Sequence, residues 1–596
     1  MRAGPDQTTG LQGNRREGMV SVNSAFIQYF QNKNILIFYI SLIKIIDTMK
    51  RFVFSAMLVL LTVSLIYSQL TQPSNRNRPQ SGFGAMSNAF SAVTDPGKAV
   101  TYNNPVIPGF WSDPSVCRVG EDYYLVNSTF EYFPGVPVFH SNDLVNWELI
   151  GYCINRPTQL PKGLNIFATT IRYHDGTFYM ITTNIGGEGN FYVTASNPAG
   201  PWSDPILIEA QGIDPDLFFD DDGKVYVISS TFILHEIDLK TGKFTSEGRK
   251  MWNGTGGRYP EGPHIYKKDG FYYLMIAEGG TEEAHSETIA RSKNIWGPYN
   301  SNPSNPILTH CNAAGQGNPI QGVGHADIVQ AHDGSWWIVF HGYRSIGGTH
   351  HTLGRETCLA PVSWPENGWP VVNGNGTATV NMTCPTLPLK PFIAKPPRID
   401  FDPDKLGLEW NYLRYPISEN YSLSSRKGFL RLKGSEQTIE DRKSPTFTGR
   451  RIQDMYFTAT AQLEFNPDKA NEEAGMILLN NGTHFDLVVK QAGGKRVLVC
   501  KLRFDSVVHE SVAVVLKPGP VKLIIKGERA NFAFLYSQGT DTPKEIIRVM
   551  ARYLSSETVG GFTGVYVGLY ATGNGKICTA NADYDWFEYV KKVTSE

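Results

Sequence analysis

Apolar and polar positions alternate through the first half of the chain in short runs, each broken by a tight turn. In RYPEGPHIYKKDGFYYLMI, residues 258–276, a strand-like run leads into Lys-Asp-Gly and then into a second, aromatic-rich strand. An Asp-Gly pair between alternating runs is a strong hairpin signal. One acidic residue, Glu261, opens the first strand eight positions before Asp269. The pattern recurs in IDPDLFFDDDGKVYVI, where Asp214 lies eight before Asp222, and in GHADIVQAHDGSWWIVF, where His325 lies eight before Asp333. Two degenerate copies complete it: Phe167 lies eight before Asp175 in FATTIRYHDGTFYMI, and Asp113 eight before Glu121 in SDPSVCRVGEDYYLV.

The five copies are spaced by 54, 47, 47 and 64 residues. A period near fifty, with two clear strands and room for two more, predicts a four-stranded propeller blade. Five blades then fit between about residues 100 and 370, and the fold class is all-β. The first strand of each blade lines the central channel, so Asp113, Phe167, Asp214, Glu261 and His325 are expected at one mouth of the axis. Three carboxylates there cost desolvation and mutual repulsion. Turn capping or a structural cation is the plain alternative, but repeat-equivalent placement points to chemistry.

From Pro385 the sequence PTLPLKPFIAKPPRIDF reads as a linker. Runs such as MYFTATAQLEF, HFDLVVK, VKLIIKG and ANFAFLYS follow, spaced as in a β-sandwich. The expected division is a propeller catalytic domain at 101–384, a linker at 385–398 and a β-sandwich accessory domain at 399–596. Ahead of these, MKRFVFSAMLVLLTVSLIYSQ has the basic start and apolar run of an export signal. Residues 49–68 are therefore expected to be a signal peptide and 69–100 a linker, with a secreted or periplasmic product. Residues 1–48 fit poorly ahead of a signal and read as an upstream, non-native extension.

Charge narrows the partners. The 55 basic and 56 acidic residues nearly cancel, which excludes the electrostatic footprint of a nucleic-acid or anionic-membrane binder. The seven Cys contain no CxxC pair, so neither a dense disulfide framework nor a zinc set is expected. A single Cys117–Cys153 bridge stays open.

Hydrolysis of a glycosidic bond needs a protonated carboxyl group to release the leaving oxygen and an ionised carboxylate to activate water or attack the sugar. A third acid can hold the proton on the donor. The segments GFWSDPSVCRVGEDYYLVNSTFEYFPG, ATTIRYHDGTFYMITTN, GIDPDLFFDDDGKVYV, PEGPHIYKKDGFYYLMIAEGG, GHADIV and LGRETCLAPVSW occur in this order. Together they resemble glycoside hydrolase family 43, in particular its β-xylosidase and α-L-arabinofuranosidase members with a C-terminal β-sandwich. The resemblance implies an inverting enzyme in which Asp113 is the general base, Glu261 the general acid and Asp214 the group that raises the acid's pKa and orients it.

The same resemblance places Arg355 and His325 on the sugar, with Phe130 and Phe167 as pocket walls and Phe562, in GGFTGVYVG, closing the pocket from the sandwich. It requires no cofactor and leaves room for a structural calcium beside His325. The sequence departs from the family's usual motifs in reading IFATT for IWAPT and SDPS for PDPS, which bears on the pocket's shape and so on the preferred pentose. The expected function is exo-acting removal of terminal xylose or α-L-arabinofuranose from hemicellulose oligosaccharides. An endo-arabinanase-like hydrolase and a non-catalytic sugar-binding propeller are the alternatives.

Overall fold

The computed structural model describes residues 100–592, apart from Pro385 and Asp505. The upstream extension, signal peptide and most of the first linker lie outside the described residues. Among those residues no helix is long and apolar enough to cross a membrane.

Five antiparallel sheets follow one another along the chain, each built outward from an inner strand. These inner strands are Ser115–Val119 in blade I, Ile166–His174 in blade II, Asp216–Phe219 in blade III, Glu261–Lys268 in blade IV and Ile320–Gln330 in blade V. The ring is fastened by its own ends, because strand Val100–Asn103 pairs with Asn381–Cys384. Cys117 and Cys153, the one bridge left open, are buried free thiols.

The five hairpins turn in different ways, and this shifts the expected equivalences. In blades II and IV the Asp-Gly pair is the whole turn, with both residues at positive φ: Asp175 at 45° and Gly176 at 78°, Asp269 at 51° and Gly270 at 73°. Those are the two left-handed central residues of a type I′ turn. In blades III and V the last backbone pairs are Asp220 with Lys224 and Ala331 with Ser335, so the turn is longer and the Asp sits one residue deeper in it. Counting back from the turn therefore misaligns two blades by one position. The structural equivalents of Asp113, Asp214 and His325 are Ala168 and Gly262, and Phe167 and Glu261 stand one residue earlier, each beside a β-bulge. Bulges re-aim side chains, which is how these two still reach the channel mouth.

The second lobe is a sandwich of an eight-stranded and a nine-stranded sheet. Its strands begin at Arg398–Ile399, and one core, including Leu463, Met476, Leu487, Ile525 and Leu569, lies between the sheets. The larger sheet does not stop at the lobe's edge, because its last strand is Tyr132–Phe133 of blade I, paired with Asn411–Leu413. The Tyr132 ring stacks on Tyr566 at 3.9 Å, and the Arg451 guanidinium lies 3.8 Å from the centre of the Trp111 ring. Propeller and sandwich thus share backbone hydrogen bonds as well as side-chain contacts.

Candidate active site

Asp113 and Asp214 sit two residues ahead of their inner strands and His325 in the middle of its own, all with left-handed backbone at φ 54°, 54° and 48°. Non-glycine residues adopt this region at a cost and cluster where a site over-determines them. In blade IV Gly262 takes the same conformation at φ 55°, which leaves Glu261 free to turn inward. A cavity of about 90 Å³ is lined by Asp113, Phe130, Phe167, Asp214, Glu261, His325, Arg355 and Phe562. These are the eight residues singled out in the sequence; Ala168, Ile213 and Thr281 complete the lining.

Asp113 is fully engaged. Its carboxylate accepts from Arg355 Nη1 at 2.7 Å and from Ser128 Oγ at 2.6 Å, while its N–H donates to His341 Nδ1 at 3.3 Å. Burial by itself would raise the pKa, but the charges of Arg355 and His325 and the contact with His341 outweigh it and hold the group well below the usual carboxylate range. Asp113 is therefore ionised at any ordinary pH. His325 Nδ1 stands 3.9 Å from Asp113 Oδ1 and 3.7 Å from Glu261 Oε1. Those two carboxyl groups are thus no further apart than the sum of the two spans.

Burial opposes charge on His325, yet the three surrounding carboxylates reverse this and raise its pKa to about 10. The resulting imidazolium pulls Glu261 below its ordinary value despite burial. Asp214 goes the other way, to about 7, because burial, with the nearby Glu261 and Asp113 charges, outweighs the His325 charge that favours its ionised form. Its Oδ2 accepts from Gly262 N–H at 3.3 Å, which ties it to the backbone that carries Glu261. In the free enzyme the site holds one proton among these acids, and it rests on Asp214.

Among the described residues no group of three His, Cys, Asp or Glu has the arrangement to hold a metal.

Three aromatic rings enclose the sugar side. Phe130 stacks on Phe562 at 5.6 Å and meets Phe167 edge-on at 5.1 Å, and Phe167 lies 5.9 Å from Phe562. Phe562 belongs to the sandwich, on a loop pinned to the propeller by Val565 N–H donating to Thr352 O at 2.8 Å. A Cβ on Gly564 would come within 2.5 Å of Leu353 O, so only glycine allows this approach. Beneath the pocket the channel is filled. Arg172 bonds Asp327 at 2.7 Å, Asp216 at 3.1 Å and His264 Nδ1 at 2.9 Å, and Ser115 Oγ donates to Asp327 at 2.6 Å.

Sequence reasoning missed Ser128, His341 and the Arg172 cluster. Ser115, Asp216, His264 and Asp327 each follow the left-handed residue of their blade by two positions, so their polar ring was visible in SDPS, IDPD, EGPH and GHAD. His341 stands on the second strand of blade V, Trp336–Arg344, outside any repeated motif. Its one signal was a histidine within the apolar run WWIVFHG.

Comparison with known proteins identifies both lobes. The profile described as Glycosyl hydrolases family 43 matches residues 102–370, and that of the Beta xylosidase C-terminal Concanavalin A-like domain matches 398–590. The chain is 45% identical to a non-reducing end alpha-L-arabinofuranosidase of Bacteroides ovatus, over 82% of this chain and 94% of that protein. It is 39% identical to a xylosidase/arabinosidase of Butyrivibrio fibrisolvens, over 82% and 99%. Among solved structures, a xylan beta-1,4-xylosidase of Bacillus halodurans superposes with a TM-score of 0.78 at 34% identity, covering 82% of this chain and all of that one.

Proposed function

The chain belongs to glycosyl hydrolases family 43, and on that premise we propose that it is an exo-acting, inverting glycosidase releasing terminal xylose or α-L-arabinofuranose from hemicellulose oligosaccharides. The observation that carries the reading is the convergence of Asp113, Asp214 and Glu261, from three blades, on one cavity capped by Phe562. Asp113, ionised and fixed by Arg355 and Ser128, takes a proton from water as the oxygen attacks the anomeric carbon. Glu261 gives a proton to the departing glycosidic oxygen. Asp214, joined to Glu261 through Gly262 N–H, supplies and orients that proton. The upper bound on the Asp113–Glu261 separation reaches only the lower part of the roughly 6.5–9.5 Å that leaves room for a water between the acids of an inverting site.

Exo action follows from closure at both ends: the Phe130, Phe167 and Phe562 rings form the wall, and the Arg172 cluster forms the floor. An endo-acting enzyme needs an open groove, which the Phe562 loop opposes. The relatives' names support two pentoses, since one is an arabinofuranosidase and another a xylosidase/arabinosidase. The leader starting at Met49 supports export.

The test is hydrolysis of 4-nitrophenyl β-xyloside and α-L-arabinofuranoside beside natural oligosaccharides, with the anomer of the first product read by NMR. Glu261→Gln should cost about 10²–10⁴-fold on natural linkages, the usual worth of proton donation. It should cost far less on the aryl glycosides, whose leaving group needs little protonation. Equal losses on both, or retained configuration, would overturn the assignment.

A further inference from the structure

Two of the larger cavities outside the sugar pocket adjoin each other. The first, about 550 Å³, begins at Thr281, Arg355 and Phe562, residues that also line the sugar pocket. The second, about 560 Å³, meets the first at Glu283. It reaches Arg529, in the turn between the sandwich strands Val521–Glu528 and Asn531–Ser537. The loop after Arg344 borders both, with Thr349 and His351 on the first, and Ser345, Gly347 and Gly348 on the second. Pocket, vestibule and distal cavity therefore adjoin one another in series.

Each outer cavity falls in the roughly 300–1,000 Å³ range of small-molecule sites, and one departing sugar does not need both. The distal lining mixes polar and apolar surface, with the Gln316, Asn318 and Gln321 amides and Ser345 beside Pro319, Cys311 and several glycines. Glu283 and Arg529 are exposed, and neither side chain forms a hydrogen bond or ion pair with another described residue. One end thus presents a pure acceptor and the other a fork of five donors. Opposite charges on a surface of mixed polarity suit a neutral chain with hydroxyl groups and apolar C–H faces better than an acidic or wholly apolar one.

We propose that the cavity between Glu283 and Arg529 is a distal leaving-group site that binds the far units of an uncharged pentose oligosaccharide whose terminal sugar occupies the pocket. The inference rests on the exo-glycosidase reading and adds a substrate length to it. Residues of the sandwich lobe then select chain length from a distance.

The experiment is kcat/KM along a series of xylo- and arabino-oligosaccharides from disaccharide to pentasaccharide. Calorimetric titration of the Glu261→Gln enzyme with the same sugars accompanies it. Wild type should gain about tenfold in kcat/KM along the series, equivalent to about 1.4 kcal/mol. Arg529→Ala and Glu283→Ala should each lower the pentasaccharide-to-disaccharide ratio by about threefold or more, in both kinetics and affinity. A flat series with every length hydrolysed overturns the distal site and leaves the catalytic reading standing. A gain that persists in both variants overturns the assignment to these two residues. If no oligosaccharide is cleaved, the catalytic reading fails, and affinity independent of length in the titration overturns the distal site as well.

Discussion

Asp214 and Glu261 compete for one proton, and their surroundings decide where it rests. The His325 imidazolium favours the ionised form of both, but burial and two neighbouring carboxylates outweigh it at Asp214, so the proton is retained up to about pH 7 and lost above it. Activity should fall as pH rises through about 7. In Asp214→Asn the group that stores this proton is gone, and Glu261, held below its ordinary range beside the His325 imidazolium, binds a proton only at lower pH. The alkaline limb of kcat/KM should then move down by about one unit or more, and a limb that stays in place would remove Asp214 from the proton pathway. The acids themselves were legible because they recur in register with strand-turn-strand units. Ser128 and His341, which fix Asp113, were not, because a serine in NSTF or a histidine inside a strand carries no periodic mark until the fold brings it to the carboxylate.

The hairpins were legible as elements but not in their internal count. Asp-Gly signals a turn by its backbone freedom, yet it serves as a two-residue turn in blades II and IV and as part of a longer one in blades III and V. Sequence spacing alone does not separate these. Gly262 shows what the difference costs. It holds φ 55°, and a Cβ there would lie 3.0 Å from His325 Nε2. Gly262→Ala should lose about 1 kcal/mol or more to left-handed strain and displace His325 or Glu261. We expect a lower Tm together with a fall in kcat of about tenfold. Full activity at a lowered Tm would mean that the inner strand absorbs the strain without moving the acid.

For the whole molecule, the two lobes were readable separately and their union was not. The joining strand is two residues, Tyr132–Phe133, within NSTFEYFPG, too short to stand out as part of a distant sheet. Its pairing with Asn411–Leu413, the Tyr132–Tyr566 stack and the Arg414–Glu131 ion pair make the lobes interdependent. The enzyme should unfold in a single calorimetric transition, with both lobes' signals lost together. Two resolved transitions would show that the shared sheet contributes little.

The clasp between Val100–Asn103 and Asn381–Cys384 sets a timetable as well as a shape. During synthesis at about 5–20 residues per second, the opening strand has to wait roughly tens of seconds for its partner to emerge. Throughout that interval blade I and its neighbours are an unclosed arc with bare edges, the condition in which nascent chains need chaperones most. A ring sealed by its last segment is therefore a late-maturing one, and yield in a foreign host should depend on how well that host shields the arc.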